Sequence, residues 1–374
     1  MATLYLHIGI PKTGTTALQN FMAQNQEALQ QHGICYPDFG YRYPRIGVYR
    51  NGHFLIAPYV TEDQKKLNDR PGSEYEEGLD KTAELAKEYD KIILTDEALW
   101  KGSQNRPGFW PQLKEDLAKR GLDLRIIVYF RRQDLWIQSF WAQKIKTGSG
   151  LTFHEYIASM KENPYPMDYY EYMNMLSGIF GKEALIIRIY EKGQYRGKEK
   201  TLVSDFLDIF GLSLDDGFTV EEKIYNTTLT GNPLEMRRLI NTLPGSRDQR
   251  QILTHHVPKP PRPDTENSTE SFSWFRPQEQ RAYLEQFAES NSKVAREYLG
   301  RDDGILFYDE IEELPQPVID DSALLRDTIC LYGKVILEQQ ETINKLKKEI
   351  KDLREDVLWF RLKRKVRHLM DKDN

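Results

Sequence analysis

Cysteine is almost missing: 374 residues contain only Cys35 and Cys330. They stand far apart and without metal-ligand spacing, which excludes a disulfide framework and a Cys-rich zinc site and points to a reducing compartment. Long apolar runs are missing as well. No stretch reaches about 18 apolar residues, the usual spanning length, and the strand-like run Thr3-Leu-Tyr-Leu-His-Ile8 follows the first residues with no basic segment before it. The expectation is a soluble, unprocessed, cytoplasmic chain. A surplus of positive charge is the third absence. With a formal net charge of −5 there is no general field for nucleic acid, so any anion site must be local. Hydrophobic residues make up 39% of the chain, enough for one substantial core.

Over the first two hundred residues short apolar runs alternate with helical patterns. Leu4–Ile8, Lys91–Thr95, Leu124–Tyr129 and Ala184–Ile189 are rich in Ile, Leu or Val and lack polar alternation, as expected of strands covered on both faces. Helical periodicity predicts helices over Thr15–His32, Asp80–Tyr89, Asp134–Thr147 and Met167–Phe180. The alternation predicts an α/β fold with a central parallel sheet flanked by helices. Over 244–277 the pattern fails, and Val257-Pro-Lys-Pro-Pro-Arg-Pro263 predicts an extended, mobile loop. Helix is expected again over Pro277–Leu299. The organisation expected is a catalytic domain over 1–312, a linker over 313–321 containing Leu314-Pro-Gln-Pro317, and a separate helix over 322–374.

That last segment has a seven-residue period. Ile329, Ile336, Ile343, Ile350 and Val357 fall at one position of the repeat, and Tyr332, Gln339, Leu346, Leu353 and Phe360 fall three residues later. Glu349 and Asp356 precede Arg354 and Arg361 by five residues, the spacing of charge pairs across parallel helices. A coiled-coil homodimer is expected. Its end, Arg361-Leu-Lys-Arg-Lys-Val-Arg-His-Leu-Met370, is basic with one apolar face, and can lie on an anionic membrane surface or stand as a solvated helix terminus.

The most informative stretch is His7-Ile-Gly-Ile-Pro-Lys-Thr-Gly-Thr-Thr-Ala-Leu18. A strand gives way to a tight loop from Gly9 to Gly14, and a helix begins at Thr15 or Thr16. Inward-pointing amides, the helix dipole, two hydroxyls and Lys12 form a pocket for phosphate or sulfate oxygens. In the P-loop of nucleotide triphosphatases Lys directly follows the second Gly; here Thr15 does, and the lysine stands inside the loop. Asp96, after the run ending at Thr95, is the one candidate for that motif's magnesium-binding Asp. A P-loop kinase or nucleotidase therefore remains an alternative, as does a coiled-coil scaffold with a degenerate nucleotide site.

At Pro11-Lys-Thr-Gly-Thr-Thr16 the sequence resembles the sulfotransferases that use 3′-phosphoadenosine-5′-phosphosulfate (PAPS). The resemblance implies a P-loop-like sulfotransferase fold in which Lys12, Thr13, Gly14, Thr15 and Thr16 bind the 5′-phosphosulfate. Lys12 would neutralise the bridging oxygen as the sulfuryl group leaves, and the product would be adenosine 3′,5′-bisphosphate. The family's second signature, a strand ending in Arg with Ser eight residues on, is matched by Arg131 after Leu124–Phe130 and by Ser139. The resemblance implies that they hold the 3′-phosphate, through a planar fork and a hydroxyl. Arg132 competes for that register. The Arg-Lys-Gly stretch of small-molecule sulfotransferases is missing, which leaves Arg188 as a further candidate for the phosphate. No metal is needed, because Lys12 covers the leaving side.

The attacking hydroxyl needs a base. Glu97 would stand at the carboxyl edge of the sheet, and related heparan enzymes use a glutamate; His53, in Asn51-Gly-His-Phe54, is the second candidate, since other branches use histidine. Trp136, Phe140, Trp141, Tyr165, Tyr169, Tyr170 and Tyr172 can fill the core or stack on a sugar. The His-Ile-Gly start, Gln19-Asn20, Arg131-Arg-Gln133 and the Phe287–Asn291–Tyr298 helix resemble bacterial carbohydrate sulfotransferases over roughly residues 2–310. That resemblance implies a carbohydrate acceptor, either a polysaccharide, an oligosaccharide or a lipid-linked glycan.

Overall fold

The computed structural model describes residues 2–43, 46–57, 59–60, 66–67, 73–162, 164–220, 231–257, 272–317 and 319–370. The chain opens with β1 (Thr3–His7), α1 (Thr15–Gln24), α2 (Gln26–Gln31) and β2 (Ile34–Cys35). A short antiparallel pair, β3 (Tyr59–Val60) and β4 (Lys66–Leu67), precedes α3 (Ser73–Leu85), β5 (Lys91–Thr95), α4 (Ala98–Gly102) and α5 (Phe109–Lys119). Next come β6 (Asp123–Phe130), α6 (Gln133–Lys146), α7 (Phe153–Ser159), α8 (Tyr169–Phe180), β7 (Leu185–Ile189) and α9 (Leu202–Asp208). The remaining helices are α10 (Gly231–Thr242), α11 (Arg247–His255), α12 (Pro277–Glu285), α13 (Ala288–Leu299) and α14 (Asp321–Met370).

Five strands form one parallel sheet in the order β2-β5-β1-β6-β7. The apolar runs are continuous because helices cover both faces: Leu4, Leu6, Ile92, Ile93, Leu94, Ile126, Ile127 and Val128 are fully buried. Leu18, Phe21 and Met22 of α1 pack with Ile93, Ile127, Tyr129 and Phe206 on one face. Trp136, Trp141, Tyr169 and Tyr172 are buried, and Phe130 stacks on Tyr169 at 4.2 Å, so these aromatics are core. In register, His7 stands beside Thr95 of β5 and Ile127 of β6. The segments leaving β1, β5 and β6 therefore emerge together at the carboxyl edge, where open α/β sheets bind ligands.

By packing, the chain divides into two units. One comprises Met1–Trp141, Phe153–Thr227 and Glu270–Gln316; the other comprises Ala142–Thr152, Thr228–Thr269 and Pro317–Asn374. In the second unit Met236, Ile240, Val257, Leu331 and Val335 form a small core joining α10, α11 and the first third of α14. The heptad residues of α14 point elsewhere: Ile329, Ile336, Ile343, Ile350 and Val357 are 44–63% exposed. Side chains from Arg361 onward lie outside the described residues, although the helical backbone runs to Met370. Among the described residues no helix is long and apolar enough to cross a membrane.

Three expectations need correction. The helix expected over Thr15–His32 breaks at Asn25, whose amide donates to the Phe21 carbonyl and whose Oδ1 accepts from the Thr219 N–H; such local bonding competes with helix. The helix expected over Pro277–Leu299 is likewise two, α12 and α13. Within 244–277, expected to be a loop, Arg247–His255 is helical. A reciprocal cap starts it: the Ser246 hydroxyl accepts from the Gln249 N–H, and the Gln249 side chain accepts from the Ser246 N–H. Residues 258–271 of that stretch lie outside the described residues.

Candidate active site

The loop after β1 is held through its carbonyl groups. Trp136 Nε1 donates to the Pro11 carbonyl at 2.9 Å, Arg131 Nη1 to the Lys12 carbonyl at 2.7 Å, and Thr13 Oγ1 to the Ile10 carbonyl at 2.6 Å. Lys12 and Gly14 both have left-handed backbone, at φ 73° and 76°. For a lysine that conformation costs roughly 1–2 kcal/mol, which the carbonyl contacts offset. Gly14 suits this backbone, and a Cβ there would also lie 2.2 Å from Leu202 Cδ2, which would have to shift. Left-handed residues alternating with ordinary ones make a concave array of backbone N–H groups, continued by the N–H groups that open α1. Thr13 and Thr15 are buried, Lys12 is half-buried and Thr16 is exposed.

The segment after β5 supplies the acids. Asp96 is fully buried. Its Oδ1 accepts from Arg50 Nε and from the Ala98 N–H, both at 2.9 Å, and its Oδ2 meets His53 Nδ1 at 2.7 Å. Burial pushes the Asp96 pKa up, but the hydrogen bond to His53 and the charge of Arg50 outweigh it, and the carboxyl sits below its usual value. Glu97 stands at the N-cap position of α4 without capping it. Its Oε2 instead accepts from Thr15 Oγ1 at 2.5 Å, and its Oε1 lies 3.4 Å from Arg50 Nη1. Arg50 thus bridges both carboxylates.

The Arg50–His53 loop sits here because β2 is too short to cover β5. Strand β2 pairs only with Lys91 and Ile92. Beyond them, Asn51 Nδ2 donates to the Ile93 carbonyl at 3.0 Å, Asn51 Oδ1 accepts from the Thr95 N–H at 2.9 Å, and the Gly52 N–H donates to the Thr95 carbonyl at 3.1 Å. A Cβ on Gly52 would lie 3.2 Å from the Thr95 backbone, so glycine permits this close docking. Under the loop, His7 Nδ1 meets Thr95 Oγ1 at 3.1 Å while its Nε2 is buried and unbonded. Burial lowers the His7 pKa to about 4, so the ring is neutral at pH 7.

On the other side of β1, the strand-end arginines have separate roles. Arg132 is buried on Asp134, at 2.8 and 3.1 Å, and donates to the Asp309 carbonyl. Arg131 turns to the Lys12 loop, with its guanidinium 5.5 Å from the Tyr190 ring centre, and burial lowers its pKa from the usual arginine value. Ser139 is half-buried on α6, and no hydrogen bond among the described residues joins it to Arg131 or the loop. Arg188 donates to Asp208 at 2.8 Å and lies 3.8 Å from Asp205, so its charge is already paired.

The structure therefore brings together Lys12, Thr15, Glu97 and Arg131, with His53 joined to them through Asp96 and Arg50. Arg50 went unnoticed in the sequence, where a lone loop arginine carries no signal. Asp96 stood out only as a magnesium ligand, yet both its oxygens are engaged by protein donors. Among the described residues no group of three His, Cys, Asp or Glu side chains is arranged to hold a metal ion.

No family model matches the chain. An uncharacterized protein of Archaeoglobus fulgidus is 27% identical over 203 residues, which are 52% of this chain and 54% of that protein. The chain thus spans about half the length of the curated relative it matches. The crystal structure of a sulfotransferase from Alicyclobacillus acidocaldarius aligns with 81% of this chain and 97% of its own, at 13% identity and a TM-score of 0.42.

Proposed function

We propose that this protein transfers a sulfuryl group from PAPS to a hydroxyl of a carbohydrate. The observation that carries the reading is the 2.7 Å bond from Arg131 to the Lys12 carbonyl, which links a strand-end arginine to an anion-binding loop 119 residues away in sequence. The set on offer is Lys12, a desolvated guanidinium, hydroxyls and the N–H groups of a helix start. It is cationic and rich in donors, and so fits phosphate and sulfate oxygens. PAPS supplies a sulfuryl group already activated as a phosphosulfate anhydride. Glu97 accepts the proton of the attacking hydroxyl as the new oxygen–sulfur bond forms and the old one breaks. Lys12 stabilises the negative charge left on the phosphate oxygen. His53, fixed through Nδ1 by Asp96, is the second proton acceptor that the geometry supports.

A cavity of about 740 Å³ supports a sugar acceptor. Tyr165, Tyr283 and Phe287 line it, and Tyr165 packs 4.7 Å from Trp136, the residue that holds the Pro11 carbonyl. The heptad face of α14 pairs, on this reading, with the same face of a second copy. The test is to incubate the protein with PAPS, oligosaccharides and simple alcohols and to look by mass spectrometry for an added sulfuryl group. Addition to a sugar, lost in Lys12→Ala, is expected. Transfer only to a simple alcohol would overturn the carbohydrate assignment, and transfer to no hydroxyl would overturn the reaction.

A further inference from the structure

Helix α6 ends at Lys146, and the turn after it takes up the carbonyls of Gln143, Lys144 and Ile145 through the N–H groups of Thr147, Ser149 and Gly148. Side chains of α10 bind the helix end and this turn. Asn241 Nδ2 donates to the carbonyls of Ile145 and Ser149, each at 2.8 Å, and Arg237 Nη2 donates to that of Lys146 at 2.9 Å. These bonds hold the 147–150 turn against α10, and α11 completes a cavity of about 360 Å³. Lys146, Arg237, Arg247 and Arg250 line it, and among the described residues no carboxylate does. Every lining residue belongs to the second unit, and none belongs to the Lys12 loop.

Among the described residues no carboxylate pairs with Arg237, Arg247 or Arg250, and Arg250 donates to the Leu243 and Gly245 carbonyls. Arg237 Nε is buried and has no hydrogen-bond partner. Burial and then the charge of Arg237 lower the Lys146 pKa, while burial and then Arg247 lower that of Arg237. Each cation thus destabilises the next, in a chain whose overall charge is −5. Such an arrangement is relieved by an anion.

We propose that this cavity binds a ligand carrying two or more phosphate or sulfate groups. Guanidinium forks match tetrahedral oxyanions, and one singly charged anion would leave most of the repulsion in place. The volume is at the small end for ligand pockets, with room for a diphosphate or a sugar bearing two ester sulfates.

The experiment is titration calorimetry at low ionic strength on the full chain, with Lys12→Ala and Arg131→Ala silencing the other anion loop. Inorganic pyrophosphate and a disaccharide carrying two O-sulfates are the probes. Binding of either is expected, weakened about tenfold or more by Arg247→Glu, an exposed position whose change spares the packing. Arg237→Ala should weaken it further, though it also removes a bond to the Lys146 carbonyl. Tighter binding of the disaccharide supports a sugar-borne ligand, and tighter binding of pyrophosphate supports a free phosphate. Absence of binding by both probes, or affinity unchanged by Arg247→Glu, overturns the site.

Discussion

Thr15 donates its hydroxyl to Oε2 of Glu97 at 2.5 Å, joining the first residue of α1 to the segment that leaves β5. The parallel register of His7 beside Thr95 makes this meeting possible, because both strands stop at the same level. The carboxylate best placed to take a proton is thus held on the loop proposed to bind the transferred group. Arg50 steadies it from the other side.

Glu97→Gln keeps an oxygen that can accept from Thr15 but removes the base. We expect kcat to fall by about 10²–10⁴, with affinity for adenosine 3′,5′-bisphosphate nearly unchanged. His53→Ala should cost much less. Steady-state turnover of both variants checks the ranking, and the reverse order would assign the proton to the His53–Asp96 pair.

Lys12 and Arg131 should separate in kinetics. Lys12→Ala is expected to lower kcat mainly, since its charge matters most as the leaving oxygen becomes anionic. Arg131→Ala should weaken donor binding about tenfold or more, through the lost charge and the released Lys12 carbonyl. Donor affinity by calorimetry, set beside turnover, distinguishes the two.

Asp96→Asn should destabilise the fold. Arg50, whose side chain is 13% exposed, would lose its closest carboxylate, and breaking a buried pair costs about 3–5 kcal/mol. Denaturant unfolding measures this. A loss under about 1 kcal/mol would mean that Glu97 alone satisfies Arg50.

Stability should fall with acid earlier than carboxylates alone require. The pKa of His7 is about 4 when folded and 6.5 ordinarily, so the unfolded chain binds the extra proton first. The contribution is fully present above pH 6.5 and is lost as pH falls towards 4, roughly 3 kcal/mol in all. Asp96 adds a loss only at lower pH, as the medium falls through its depressed value. His7→Gln should flatten the melting profile between pH 6.5 and 4; an unchanged slope would place its cause elsewhere.

The α14 heptads should make a dimer. Ile343 and Ile350 are 44% and 50% exposed, so placing Asp at both positions cannot disturb a core within one chain. Sedimentation equilibrium should show the unaltered protein as a dimer and the double variant as a monomer. The same mass for both would leave the stripe without this partner.

How far the sequence spoke for the structure depended on how local each feature is. Four strands were legible because burial on both faces leaves unbroken Ile, Leu and Val runs, and the Lys12 loop because its geometry lies within one contiguous stretch. Arg50 and Asp96 stand 46 residues apart, and nothing in either neighbourhood signals the pair. The Asn51–Gly52 docking exists because β2 has only two residues, a matter of tertiary packing. Proline-rich surroundings hid the cap that starts α11. Ser139 keeps the expected spacing from Arg131, yet no direct bond joins them.

The most direct test of the central claim is nucleotide choice. Titration of the protein with adenosine 3′,5′-bisphosphate, and separately with ATP and Mg²⁺, should show binding and a raised melting temperature for the bisphosphate, and far less of either for ATP. Substitution of Arg131 should weaken the first titration. ATP with Mg²⁺ binding as tightly as the bisphosphate, or more tightly, would contradict the sulfotransferase account and return the Lys12 loop to the nucleotide triphosphatases.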